Sequence, residues 1–108
     1  MSIETYGQQI EVTPALREYV ETKFERLSRH FDRPFDARVQ LGLDKPNHRA
    51  EATISISGKT LHADSAAVDM YAAIDLLVDK LDRLMLKHRK KSVDHHRGEN
   101  PARDGSFG

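Results

Sequence analysis

Residues Ser65–Lys91, SAAVDMYAAIDLLVDKLDRLMLKHRKK, form the longest periodic run in the chain. Ala67, Met70, Tyr71, Ile74, Leu77, Val78, Leu81, Leu84, Met85 and His88 recur at three- and four-residue spacing. At about 100° per residue they make one stripe, the mark of an amphipathic helix laid on a core. The charges on the rest of the helix are sorted. Asp75, Asp79 and Asp82 fall on one flank of the stripe, and Lys80, Arg83, Lys87, Lys90 and Lys91 on the other. Asp64 or Ser65 is placed to cap its start.

Upstream of this helix, the pattern changes from helical period to strict alternation. Phe35–Asp44 puts Phe35, Ala37, Val39, Leu41 and Leu43 on one face and polar residues on the other. Arg49–Ser57 repeats this with Ala50, Ala52, Ile54 and Ile56 inward, and Lys59–Asp64 returns with Leu61 and Ala63 inward. Lys45-Pro46-Asn47-His48 and Gly58 supply the turns between them. Such alternation predicts strands of an antiparallel sheet with one wet face.

The N-terminal third adds one strand and one helix. Ser2–Tyr6 reads as a strand ended by Gly7, and Ile10 and Val12 of the following connector are expected to tuck inward. Thr13-Pro14 is a helix start. The threonine hydroxyl accepts an orphan N–H, and proline lacks a donor where none is needed. The helix is expected to run to Phe31, with Leu16, Val20, Phe24, Leu27 and Phe31 as its stripe. Its charges are sorted in the same rotational sense, with Lys23, Arg26 and His30 on one flank and Glu18, Glu21 and Glu25 on the other, Arg17 and Arg29 being exceptions near the acidic side. Asp32-Arg33-Pro34 stops it. Ser92–Gly108 has no periodicity and is rich in Gly, Pro and polar residues, the composition of a disordered tail.

The predicted order is β-α-β-β-β-α. Strands with one apolar face need a cover, and two helices with one stripe each supply it. The fold class is α+β, a two-layer sandwich of a four-stranded sheet with both helices on one face. A chain of 108 residues fits one such domain, residues 1–91, followed by the tail at 92–108.

Composition narrows the chemistry. Cysteine is absent, which excludes disulfides, thiolate zinc sites and a cysteine nucleophile. No P-loop, GxSxG or Rossmann glycine pattern occurs. Asp75, Asp79 and Asp82 lack a histidine or second acidic cluster and read as a solvated helix face. His62 falls on the open sheet face as a polar structural residue, and His95-His96 sit in the tail as a chance pair. No catalytic residue, metal site or cofactor is expected. No signal sequence or membrane-length apolar run is present, so the reading is of a soluble, cytoplasmic protein without a membrane partner.

Lys plus Arg equals Asp plus Glu at 17 each, so only charge distribution can favour an anionic partner. The basic flank Lys80–Lys91 makes a ridge of about 17 Å, long enough for several phosphates. Two alternatives stand beside that reading. Basic side chains complement a helix C-terminus. If the two helices run parallel, the basic flank of one also meets the acidic flank of the other.

The segment Gly7-Gln-Gln-Ile-Glu-Val-Thr-Pro-Ala-Leu-Arg-Glu-Tyr-Val20, with Lys23-Phe24, Leu27 and Phe31, resembles the opening of the ribosome hibernation promoting factors. Leu61-His62-Ala63, Asp69-Met-Tyr-Ala-Ala-Ile-Asp75 and Asp79-Lys80-Leu81 with a basic helix end are similar to that family's most recognisable segment. The resemblance spans residues 1–91. It implies a fold similar to double-stranded RNA-binding domains. It also implies binding to the small ribosomal subunit and its rRNA, in the mRNA/tRNA channel near the decoding centre. Translation is thereby blocked, and idle ribosomes are kept through stationary phase or stress. Carried onto this chain, rRNA contact falls to Lys23, Arg26, His30, Lys80, Arg83, Lys87, Lys90 and Lys91.

The chain lacks the second, dimerising domain of the long forms and is similar to the short ones, expected as a monomer off the ribosome. Short forms either support ribosome dimers with a separate ribosome modulation factor or hold single ribosomes inactive, often with an acidic tail. Here Asp94, Glu99 and Asp104 are offset by Arg97 and Arg103, which favours the dimer-supporting subtype. Double-stranded RNA-binding domains carry lysines at the start of their last helix. This chain has Asp64 and Asp69 there, so a generic duplex reader is not expected. A protein–protein module using the open sheet face is the alternative from another class.

Overall fold

A computed structural model of the chain describes residues 2–31 and 33–97, with side chains as far as His88. The elements are β1 (Ile3–Gly7), α1 (Pro14–Ser28), β2 (Asp36–Asp44), β3 (Asn47–Ile56), β4 (Lys59–Ala67) and α2 (Met70–Arg97). The order β-α-β-β-β-α is the one the alternation predicts.

The four strands lie side by side in chain order. β1 pairs parallel with β2, because α1 carries the chain back across the sheet between them. β2–β3 and β3–β4 are antiparallel hairpins. The second turns on Ser57 and Gly58, both at positive φ (51° and 77°), the conformation that matches the twist of flanking strands in a two-residue loop. Gly7 serves a different need. A Cβ there would collide with the carbonyl oxygen of Ile10, where the chain leaves the sheet.

One sheet face carries Ala37, Val39, Leu41, Ala50, Ala52, Ile54, Ile56 and Ala63, all buried. Small strand residues leave room for large helical ones. Val20, Phe24 and Leu27 of α1 and Ile74, Leu77, Leu81 and Met85 of α2 pack there at about 1 % exposure or less. This is the two-layer sandwich with both helices on one face.

Strand directions also orient the helices. β1 is parallel to β2, and β4 is too, after two reversals. Each helix folds back from one of these strands, so α1 and α2 run parallel.

Several boundaries differ from the sequence reading. Alternation in β4 continues through Ser65 to Ala67, so neither Asp64 nor Ser65 caps α2. Asp69 does, its Oδ1 accepting from Ala72 N at 2.8 Å. Ser65 is buried, and its hydroxyl donates to the Ala73 carbonyl at 2.6 Å, tying strand to helix. α1 starts as expected, with Thr13 Oγ1 accepting from Leu16 N at 3.2 Å, but ends at Ser28, three residues before Phe31. Arg29, His30 and Phe31 follow in a tight turn that donates to the carbonyls of Arg26, Leu27 and Ser28. Leu43, beside the β2–β3 loop, is 47 % exposed and not inward. Tyr71 is half exposed at the helix–helix seam. α2 continues past Lys91 to Arg97. The rest of the expected tail, residues 98–108, lies outside the described residues.

Candidate nucleic-acid interface

α2 separates its two charged flanks onto different neighbours. The acidic flank faces α1. Tyr19 Oη donates to Asp75 Oδ1 at 2.7 Å, and Lys23 Nζ lies 3.3 Å from the same oxygen. Further along, His30 Nδ1 lies 3.1 Å from Asp82 Oδ1. The partners advance together along both helices, as parallel packing requires. Tyr19 also meets Tyr71 edge-on at 4.9 Å, and the Lys23 ammonium lies 5.4 Å from the Tyr19 ring centre. The hydrogen bond to Asp75, with burial adding to it, pushes the Tyr19 phenol up to about 12, so it remains a donor at any physiological pH. Asp75 and Asp82 are therefore structural partners of α1, not merely a solvated face.

The basic flank faces the other way, over β4. Lys80 Nζ donates to the Asp64 carbonyl at 2.7 Å, which fixes the ammonium at the sheet edge. Arg83 and Lys87 are exposed. With His62, Ala63, Asp64 and Leu84 these three line an open cleft of about 390 Å³ between β4 and α2. Lys80 and Lys87 are two helical turns apart, about 10 Å along the axis.

The eight basic positions expected at rRNA thus fall into separate groups. Lys80, Arg83 and Lys87 share the cleft. Lys23 and His30 are engaged in the interhelical seam. Arg26, on the same flank of α1, is exposed and forms no ion pair among the described residues. Lys90 and Lys91 lie on the α2 backbone, with side chains outside the described residues, as are those of His95 and His96.

Reading single helices missed the contribution of the sheet. Arg49 Nη2 lies 3.2 Å from Asp64 Oδ2 and 3.8 Å from Glu51 Oε1. His62 Nε2 lies 3.6 Å from Glu51 Oε1, and its Nδ1 is 3.2 Å from Thr53 Oγ1. The signal for this cluster was available: a two-residue loop at Ser57-Gly58 puts Glu51 opposite Asp64 and Thr53 opposite His62. On the other sheet edge, Arg38 reaches Glu4 at 3.6 Å. Tyr6 donates to Glu4, and that bond raises its pKa. Among the described residues, no helix is long and apolar enough to cross a membrane.

Comparison with known proteins gives a consistent answer. The family described as sigma 54 modulation protein / S30EA ribosomal protein matches residues 3–93. The ribosome hibernation promoting factor of Azotobacter vinelandii is 46 % identical over 102 residues, which cover 94 % of this chain and 95 % of the relative. The crystal structure of the Protein Y N-terminal domain from Thermus thermophilus aligns at a TM-score of 0.72 and 38 % identity, over 78 % of this chain and 94 % of that one. A ribosomal subunit interface protein from Coxiella burnetii aligns at 0.76 and 29 % identity, over 83 % and 99 % of the two chains.

Proposed function

This chain belongs to the sigma 54 modulation protein / S30EA ribosomal protein family, and on that premise we propose that it binds the small ribosomal subunit in the mRNA/tRNA channel near the decoding centre. The family is one of ribosome-binding hibernation factors and not of enzymes. Bound there, the protein blocks translation by occlusion, in the cytoplasm where ribosomes work, and promotes inactive ribosome dimers together with a modulation factor.

The observation that carries this reading is the α2 flank that α1 does not neutralise. Lys80, Arg83 and Lys87 converge on an open cleft at the sheet edge. Lys80 donates to the Asp64 carbonyl, which directs its ammonium to the mouth of that cleft. Three cations on a rigid helix suit rRNA phosphates, with shape setting the register. We assign Lys23 and His30 to holding α1 against α2, and Arg26 to the periphery of the contact.

Co-sedimentation with purified ribosomes across a salt series tests the proposal, with sucrose gradients scoring dimers with and without a modulation factor. If three phosphates are contacted, a fourfold rise in salt weakens binding by roughly 20- to 40-fold. Binding that does not change with salt overturns the electrostatic mechanism. Dimers that never form, while single ribosomes fall silent, overturn the dimer-supporting assignment and leave the occlusion intact.

A further inference from the structure

On the open face of the sheet, we infer a binding site for a divalent transition cation of the zinc class, formed by Glu51, His62 and Asp64. One ligand atom from each lies within 4.8 Å of the other two. A tetrahedral zinc ion with bonds of roughly 2.1 Å holds its ligand atoms about 3.4 Å apart. The His62 Nε2 to Glu51 Oε1 distance, 3.6 Å, is already close to that. It is also too long for a hydrogen bond.

The strands set up this triangle. Glu51 and Asp64 are direct cross-strand partners, and His62 is two residues along β4 on the same face. All three side chains rise from the middle of a hairpin ladder, so their separation is fixed by the sheet and not by a loop. Two carboxylates directly opposite one another repel, and the structure answers with a cation. Arg49 lies against both, at 3.2 and 3.8 Å.

The histidine has a neighbour that suits the tautomer a metal-binding imidazole needs. Its Nδ1 faces Thr53 Oγ1 at 3.2 Å. With Nδ1–H donating to that hydroxyl, the lone pair of Nε2 turns toward the two carboxylates. One nitrogen and two oxygen ligands with an open position suit zinc and its borderline neighbours better than calcium or magnesium, which take oxygen alone. A bound ion displaces the Arg49 guanidinium. Because His62 and Asp64 also line the cleft beside Lys80, the ion adds positive charge at its mouth.

Calorimetric titration of the full chain with zinc chloride tests the site. One saturable equivalent is expected, with ¹⁵N shifts that move His62 Nε2 and leave Nδ1 protonated. His62→Ala weakens binding by at least about tenfold. Arg49→Gln tightens it, because the competing cation is gone. The variant His95→Ala with His96→Ala separates this site from the histidine pair near the C-terminus and keeps the equivalent. Zinc affinity unchanged in His62→Ala, or lost in the His95/His96 variant, overturns the inference.

Discussion

Two helices of this protein carry the same device, an apolar stripe with basic residues on one flank and acidic residues on the other, and the fold uses the two basic flanks differently. That of α1 meets the acids of α2: Lys23 reaches Asp75, and His30, in the turn that follows α1, reaches Asp82. That of α2, among the described residues, meets a strand edge, where Lys80 bonds a backbone carbonyl and Arg83 and Lys87 stay exposed. The matching rotational sense is what two parallel helices need to close a seam. Among the described residues, it leaves the basic flank over β4 without an acidic helix beside it. A charged ridge becomes a candidate site only when the topology shows what lies beside it.

The largest expected effect breaks the α2 flank alone. Replacing Lys80, Arg83 and Lys87 together by Glu weakens ribosome binding by at least about 100-fold, read by co-sedimentation, while the melting temperature stays near that of the parent. Equal loss from reversing Lys23 alone would erase the distinction between the flanks.

Next comes the residue under both flanks. Leu81 is fully buried between them, and Leu81→Ala costs about 3 kcal/mol, measured by urea unfolding. A cost near zero would mean that the stripe does not anchor the helix.

Asp75→Ala removes the shared acceptor of Tyr19 and Lys23 and destabilises by about 1 kcal/mol. It also lowers the Tyr19 pKa from about 12 toward its ordinary 10, readable from phenolate absorbance. The sign follows from the raised value. In the parent this interaction is at full strength below pH 10 and is lost as pH rises through about 12, so the Asp75→Ala penalty shrinks in that window. A Tyr19 titration that does not change would exclude the bond to Asp75.

The smallest effect sharpens the contrast most. Lys23→Met costs about 0.5 kcal/mol, as partly exposed ion pairs do, and leaves ribosome binding unchanged. Lys87→Met has no effect on stability and weakens binding.

Much of this fold is legible in the chain. Alternation in Phe35–Asp44 and Arg49–Ser57 locates two strands and their buried faces, and Thr13-Pro14 locates a helix start. The β4–α2 junction is harder because Ser65-Ala-Ala fits both periods. Small residues pack as readily in a strand as in a helix, and only the pairing with β3 keeps them extended as far as Ala67. Leu43 alternates correctly but lies at the hairpin end, where the core no longer covers it.

The interface is less legible than the fold. Lys80, Arg83 and Lys87 show up as a ridge, yet Lys23 and His30 give the same signal, and sequence spacing cannot say which flank faces a neighbour. That depends on strand directions, which fix the helices as parallel. The Glu51, His62 and Asp64 cluster depends on hairpin register, which becomes legible only once the loop is placed at Ser57-Gly58.

α2 also outruns the layer it rests on. Its 28 residues measure about 42 Å along the axis, whereas the 9 residues of β4 cover about 30 Å. The excess makes the helix a prow. Residues inserted in those overhanging turns would lengthen the helix without moving any residue of the core.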